Sequence, residues 1–158
     1  GVGKNYKSSL YKALVASGIG IPTGGNVLIS VADKDKNECV NIAERLLKMG
    51  FEIMATEDTC DYLAKSGIRA TKLKFEDLME CIRNDRISLI INTPSHGKVP
   101  ERMGFTLRRT SIEYNIPCIT SLDTVNAMLD AMEYVSQGGK CEIYSLDEYS
   151  DRLTEGKL

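Results

Sequence analysis

Small hydroxyl, amide and ammonium side chains recur in this sequence immediately after short apolar runs. The set comprises Ser30, Lys36, Thr56, Thr59, Asn92 and Thr93, with Lys34, Ser95, Lys98, Thr120 and Ser121 close by. Hydroxyl and amide groups donate hydrogen bonds to oxyanions, and lysine adds a positive charge without demanding a fixed geometry. A fold that gathered these side chains would create a pocket for a phosphate or a similar anion.

The positions of these residues depend on an alternation of apolar runs and helical stripes along the chain. Strands are predicted at 26–31, 51–55, 69–74, 87–91 and 117–120, with an additional edge strand at 141–144. Helices are predicted at 4–17, 33–49, 59–66, 75–83, 103–115, 122–136 and 146–153. Strands that alternate with helices form right-handed βαβ units and a parallel sheet. The pattern therefore predicts an open, Rossmann-like, three-layer α/β/α domain with about five parallel strands.

Apolar stripes predict the buried faces of the first two helices. The stripe of the first helix is Tyr6, Leu10, Ala13 and Leu14, and that of the second is Val40, Ala43, Leu46 and Leu47. Gly18 and Gly50 are predicted to end these two helices. The Gly/Pro-rich connector at 18–25 then separates the first helix from the regular alternation that follows.

In open parallel sheets, ligands bind beyond the carboxyl ends of the strands, which is where the hydroxyl and amide residues fall. Thr56 and Thr59 flank a predicted helix N-terminus, where free backbone N–H groups and the helix dipole favour a phosphate. The same residue types also serve as helix N-caps and turn formers, and exposed lysines are commonly surface charges. Position alone therefore leaves a phosphate pocket and a purely structural role both open.

Other candidates for chemistry are weaker. Gly1-Val-Gly-Lys4 lacks the spacing and the preceding strand of a phosphate-binding P-loop. His96 is the single histidine, so no histidine pair is available to build a metal site. Arg108 and Arg109 are candidates to clamp an acid, although a solvated helix face or a domain contact explains them equally. No group of acid, base and nucleophile emerges from the sequence.

Composition is typical of a globular protein: 158 residues, 42% hydrophobic and 27% charged, with a net charge of −2. Because the charges are interspersed and no apolar run approaches membrane-spanning length, we expect neither nucleic acid nor a membrane as a partner. The five cysteines, Cys39, Cys60, Cys81, Cys118 and Cys141, form no CxxC pair. They are predicted to be free thiols in a cytoplasmic protein.

Four motifs, in order, resemble a known family. They are LISVADKDK (28–36), GFEIMATEDT (50–59), LIINTPSHGK (89–98) and LRRTSIEYNIPCITSLDTVNAML (107–129). Together they are similar to the methylglyoxal-synthase-like domain that closes the large subunit of carbamoyl phosphate synthetase. The opening GVGKNYKSSLYKALVASG resembles the segment that joins this domain to the second synthetase half. The resemblance divides the chain into a helix and connector at 1–25 and a regulatory domain at 26–158.

The resemblance implies an allosteric domain that is not itself catalytic and carries no cofactor. The parent ligase uses ATP, with Mg or Mn, bicarbonate and glutamine-derived ammonia to supply arginine and pyrimidine biosynthesis in the cytoplasm. Its implied partners are the remaining large-subunit domains and the glutaminase small subunit. The implied effectors are nucleotides such as UMP, IMP or phosphoribosyl pyrophosphate, or else ornithine.

Individual positions carry over from the family to this sequence. The implied effector-binding residues are Ser30, Lys36, Thr56, Thr59, Lys74 and Asn92, and the position of Thr93 at the end of the fourth strand adds it to the predicted site. Two departures concern the identity of the nucleotide. The loop that carries the second lysine of the family is shortened here, so Lys74 takes that role. Pro94 stands where some members have a threonine, which removes a hydroxyl and a backbone donor.

Two other hypotheses remain at this point. Methylglyoxal synthase shares the fold and the threonine pair, but it needs a carboxylate base beside the phosphate of dihydroxyacetone phosphate. The segments that should supply its Gly-Gly-Asp-Gln and Pro-His-Asp-Pro motifs read Lys72–Leu78 and Ser95–Lys98 here. The second hypothesis is a structural oligomerisation module that binds no effector.

Overall fold

A computed structural model describes residues 1–95, 98–139 and 142–154 of the chain. Five strands lie in this part: β1 (Asn26–Ser30), β2 (Glu52–Thr56), β3 (Thr71–Leu73), β4 (Leu89–Asn92) and β5 (Cys118–Ile119). The helices are α1 (Tyr6–Ala16), α2 (Lys36–Lys48), α3 (Glu57–Lys65), α4 (Phe75–Arg83), α5 (Lys98–Glu113), α6 (Leu122–Ser136) and α7 (Leu146–Thr154). None of the helices in these ranges is both long and apolar enough to cross a membrane.

The five strands form one parallel sheet in the order β3-β2-β1-β4-β5. The chain moves outward from β1 through β2 to β3, then crosses to β4 on the opposite side of β1. Ser30 at the end of β1 is in register with Asn92 at the end of β4, and Ile29 is in register with Ala55 of β2. The carboxyl ends of β1, β2 and β4 are therefore neighbours at the point where strand order reverses, which is where open α/β sheets bind ligands.

Helices cover both faces of the sheet, which confirms the predicted three-layer α/β/α fold. Val27 and Ile29 of β1 join the core under α2, α3 and α6, whereas Leu28 joins the core under α4 and α5. All three side chains are fully buried. A strand that is apolar on both faces is the expected signature of a parallel sheet covered by helices on each side.

The predicted helix bounds agree with the structure to within three residues, except that α5 begins at Lys98 and not at 103. The stripes predict burial less well. Leu47 of α2 is 37% exposed, while Cys39 and Ile42 are fully buried in its place. Tyr6 of α1 is 65% exposed because α1 rests against α6 rather than on the sheet. A helix in this outer position buries a narrower face than its apolar stripe indicates.

The predicted edge strand at 141–144 is wrong where the structure describes it, because Glu142–Ser145 has no regular structure. Cys141 lies outside the described residues. The segment is held instead from the amino-terminal helix, since the Lys12 ammonium donates to the Glu142 carbonyl. The segment is largely exposed, so its other backbone groups can bond to water and strand pairing is not needed to satisfy them.

Candidate functional site

A cavity of about 240 Å³ opens at the carboxyl ends of β1, β2 and β4. Its polar lining includes Ser30, Asp33, Lys36, Thr56, Asp58, Thr59, Asn92, Thr93 and Ser95. Its apolar lining includes Phe75, Leu78, Met103 and Leu107. The topology thus brings together Thr93 and five of the six residues that the resemblance nominated, because all of them follow or terminate adjacent strands.

Thr56 and Thr59 lie at the start of α3. Thr56 is the N-cap residue in extended backbone (φ −62°, ψ 157°), but its side chain makes no capping hydrogen bond. Its hydroxyl oxygen instead lies 3.4 Å from Ser30 Oγ and 3.3 Å from Thr59 Oγ1. Hydroxyl pairs usually lie near 2.7–2.8 Å, so these contacts are weak and easily replaced by a ligand. The first backbone N–H groups of α3 are therefore not capped by Thr56, which suits an anion.

Lys36 supplies the positive charge of the cavity. It is the first residue of α2, and its side chain is only 12% exposed. Its ammonium lies 2.6 Å from the Asp33 carboxylate, whose side chain is 93% exposed. An ion pair with one partner in solvent is weak, so Asp33 restrains Lys36 only lightly.

Asn92 and Thr93 are almost fully buried, each 4% exposed, at the end of β4. Asn92 Nδ2 donates to the Ser30 carbonyl at 2.9 Å, and the Ala32 backbone N–H donates to Thr93 Oγ1 at 2.8 Å. The Val31 N–H likewise donates to Thr59 Oγ1 at 3.3 Å. These side chains therefore fix the loop that carries Lys36 out of β1, in addition to lining the cavity.

Lys74 is the predicted site residue that does not line the cavity. It is exposed at the N-cap of α4, while its neighbour Phe75 contributes to the apolar wall. Its predicted role in effector binding has no support from this geometry. His96 lies outside the described residues.

Sequence reasoning missed several parts of the site. Asp33 and Asp58 line the cavity, as does Gly104 of α5. Arg108, also on α5, donates from Nη1 to Asn92 Oδ1 at 2.6 Å. The Arg108-Arg109 pair was noticed in the sequence, but helical spacing alone does not show which of two adjacent arginines turns inward.

The cysteines take no part in the cavity lining that the structure describes. Cys39, Cys60, Cys81 and Cys118 are free thiols, as predicted, and Cys141 falls outside the described residues. Burial raises the pKa of the Cys39 thiol to about 12, with the nearby Asp35 and Glu38 carboxylates adding to the shift. A thiol with so high a pKa is protonated at neutral pH and therefore a poor nucleophile.

Comparison with known proteins gives a consistent picture. The family model for the MGS-like domain matches residues 38–120. The carbamoyl phosphate synthase large chain of Caldanaerobacter subterraneus subsp. tengcongensis is 38% identical over 151 residues, which covers 96% of this chain and 14% of that protein. The large chain of Thermoanaerobacter pseudethanolicus matches with the same identity and coverage.

The chain therefore corresponds to a small part of these relatives, about 14% of their length. The crystal structure of ForH aligns at 19% identity over 73% of this chain and 82% of that one, with a TM-score of 0.46, too slight a likeness to bear on function. The family match and the two relatives confirm the resemblance that the sequence motifs indicated. The chain belongs to the MGS-like domain family.

Proposed function

We propose that this chain is the effector-binding, allosteric domain of a carbamoyl phosphate synthase large chain, and that it binds a nucleoside monophosphate such as UMP without transforming it. The observation that supports this most directly is the cavity at the ends of β1 and β2. There an ammonium group, three hydroxyls and a helix N-terminus without a side-chain cap face a common space. These groups match the charge and the acceptor-rich surface of a phosphate.

The phosphate displaces weak contacts rather than strong ones in this proposal. The Lys36 ammonium leaves the exposed Asp33 carboxylate and pairs with the ligand. The hydroxyls of Ser30, Thr56 and Thr59 exchange mutual contacts of 3.3–3.4 Å for shorter, charge-assisted hydrogen bonds. The cost of preparing the site is therefore small, because the hydroxyl contacts are long and the Lys36–Asp33 pair has one partner exposed to solvent.

Allosteric control requires that the effector bind two states of the enzyme unequally, with a coupling of about 1–3 kcal/mol. A ligand that contacts the ends of β1, β2 and β4 together would favour one arrangement of the loops beyond these strands. We propose that this arrangement changes how the domain packs against the other large-subunit domains. ATP with Mg or Mn, the glutaminase subunit, and roles in arginine and pyrimidine synthesis in the cytoplasm belong to the proposed parent enzyme.

Calorimetric titration tests the proposal. Separate titrations of the chain with UMP, IMP, phosphoribosyl pyrophosphate and ornithine should show saturable binding of at least one, and that ligand should raise the melting temperature. Lys36→Ala in the parent enzyme should remove the nucleotide response while leaving effector-free synthesis of carbamoyl phosphate intact. Lys34→Ala is the matched control, because Lys34 is exposed and does not line the cavity.

Two outcomes would overturn this function. Absence of binding by all four compounds would favour a structural oligomerisation module. Formation of methylglyoxal from dihydroxyacetone phosphate by the isolated chain would favour catalysis, with Asp33 or Asp58 as the candidate carboxylate in the cavity lining.

A further inference from the structure

Two adjacent arginines on α5 have opposite surroundings. Arg109 is exposed, with 71% of its side chain accessible, and it pairs with Glu113 one turn later at 3.1 Å. Arg108 is partly buried and turns toward the sheet, where its Nη1 lies 2.6 Å from Asn92 Oδ1. Arg109 thus has an ordinary surface role, whereas Arg108 contacts a buried residue of the candidate site.

The Asn92 carboxamide has one orientation that satisfies both of its partners. Arg108 can only donate, so it requires the carbonyl oxygen of the amide, while the Ser30 carbonyl can only accept, so it requires the amide nitrogen. Rotating the amide by half a turn would place two donors together at one end and two acceptors together at the other. Arg108 therefore fixes which end of Asn92 carries the N–H groups, and one of the two amide hydrogens is left for a ligand.

Gly104 makes room for this contact. It lies one helical turn before Arg108, and a Cβ at this position would stand 3.0 Å from Arg108 Nη1 and 3.4 Å from Asn92 Oδ1. Glycine in a helix interior is unfavourable relative to alanine. Its presence here allows the guanidinium to lie against the amide.

The sheet geometry separates Asn92 from the phosphate end of the site. Adjacent strands lie about 4.8 Å apart, so β2 and β4, which flank β1, are about 10 Å apart. Ser30 of β1 lies between the two ends, since its Oγ is 3.4 Å from Thr56 Oγ1 and its carbonyl accepts from Asn92 Nδ2. A phosphate held by Lys36 and the threonines occupies the β2 side of Ser30, whereas Asn92 lies on the β4 side. The part of the ligand that reaches β4 is therefore the part attached to the phosphate.

We propose that Arg108 is a positioning residue of the effector site: it holds the Asn92 amide so that an N–H group meets an acceptor on the nucleoside portion of the ligand. This inference rests on the proposed function and adds to it a source of specificity beyond the phosphate. Arg108 acts through Asn92 and is not among the residues that line the cavity. The ligand class it selects is a phosphate ester with a hydrogen-bond acceptor beyond the phosphate.

The test compares UMP with inorganic phosphate as probes of the full chain. Arg108→Gln should weaken UMP binding about tenfold, the effect of losing one well-placed hydrogen bond, while inorganic phosphate binds within about twofold of the unmodified chain. General damage to the pocket would weaken both probes equally, so this split distinguishes positioning from a merely structural role. Arg109→Gln, which removes the same charge from the adjacent position, should leave both affinities unchanged.

A double-mutant cycle shows whether the effect passes through Asn92. Once Asn92→Ala has removed the amide, adding Arg108→Gln should cause no further loss of UMP affinity. If Arg108→Gln does not fold, Gly104→Ala tests the same contact, because the added methyl group displaces the guanidinium tip and should likewise weaken UMP more than phosphate.

The outcomes separate this inference from the proposed function. Normal UMP binding by Arg108→Gln, equal losses for UMP and phosphate, or additive losses in the double mutant would each overturn the positioning role and leave the effector-binding function standing. Failure of the unmodified chain to bind either probe would overturn this inference, and the proposed function falls with it only if IMP, phosphoribosyl pyrophosphate and ornithine also fail to bind.

Discussion

The two ends of α2 carry cations in contrasting surroundings. At its first residue, Lys36 pairs with one carboxylate among the described residues, that of Asp33, which is itself almost fully exposed. In its last turn, Arg45 contacts three residues of α6. The Arg45 contacts are Glu133 at 2.8 and 2.9 Å, Asp130 at 2.6 Å and Asn126 at 3.2 Å. Hydrogen bonding to Glu133 is the largest of the effects that raise the pKa of the Arg45 guanidinium.

This difference shows how one helix combines an anchor with a binding group. The guanidinium of Arg45 has several acceptors within the protein, and its side chain is only 18% exposed, so it fastens α2 to α6. The side chain of Lys36 is also sheltered, at 12% exposure. Its carboxylate partner among the described residues, Asp33, is instead 93% exposed to solvent. A sheltered cation with few internal acceptors is the one that gains most from a ligand. The predictions below separate the two roles, starting with the largest expected effect.

Lys36→Gln should remove binding while sparing the fold. The loss of a charge-assisted contact to phosphate predicts UMP affinity about 10- to 100-fold weaker by calorimetry. Because the Lys36–Asp33 pair is weak, the melting temperature should change by less than about 2 °C. Lys34→Gln serves as the control for charge. A large loss of stability in Lys36→Gln would show that Lys36 is an anchor like Arg45.

Arg45→Gln should have the converse effect. Removing the guanidinium leaves Asp130 and Glu133 without their cation, and we expect the free energy of unfolding to fall by about 2 kcal/mol. Denaturant titration measures this loss, and calorimetry should show UMP affinity unchanged. The exposed Arg109 provides the comparison, since Arg109→Gln should cost less than about 0.5 kcal/mol. Weaker UMP binding in Arg45→Gln would mean that the two ends of α2 are coupled.

Cys39, on the buried face of α2 between these cations, predicts that the stability of the fold falls at alkaline pH. The pKa of the Cys39 thiol is raised from 9.0 to about 12 in the folded chain. The protonated thiol therefore contributes fully to the free energy of unfolding below pH 9. That contribution declines as pH rises toward 12, by about 1.4 kcal/mol at pH 10. Urea titrations at pH 7 and pH 10 measure how far the free energy of unfolding falls between these two pH values. This fall should be smaller for Cys39→Ala than for the unmodified chain. An equal fall in both proteins would show that a group other than Cys39 causes the loss of stability at alkaline pH.

The smallest effect is expected at Asp33, the partner that Lys36 must leave. Asp33→Asn should strengthen UMP binding by about two- to fivefold, because the competing exposed ion pair is worth less than about 1 kcal/mol. Asp61→Asn is a suitable control, since Asp61 forms an exposed pair with Lys72 outside the cavity lining. Weaker binding by Asp33→Asn would indicate that Asp33 helps to orient Lys36 for the ligand.

Much of this architecture could be predicted because it depends on local chemistry. The predicted bounds of α4, Phe75–Arg83, agree with the structure, since an aromatic residue opens a short amphipathic stretch with acids in the first turn. The grouping of Ser30, Thr56 and Asn92 also followed from one general fact, that parallel strands end on the same side of a sheet.

Other features depend on tertiary contacts that the sequence does not reveal. Leu47 has the spacing of a buried residue, but α2 turns Cys39 and Ile42 toward the sheet instead. The inward turn of Arg108 depends on the absence of a side chain at Gly104, four residues earlier, and on a partner sixteen residues away at Asn92. Such details are set by how helices rest on the sheet.

The sequence separation of the pocket residues has a consequence for biogenesis. Ser30, Thr56 and Asn92 become neighbours only after β1, β2 and β4 have assembled, because each lies at the end of a different strand. A ligand that binds there is selective for the completed sheet, so saturating concentrations lower the population of unfolded chain by the full factor of one plus the ligand-to-Kd ratio. During synthesis, the nascent chain acquires this protection only when residues beyond β4 have left the ribosome. An abundant effector would then act as a folding aid for the domain as well as a signal.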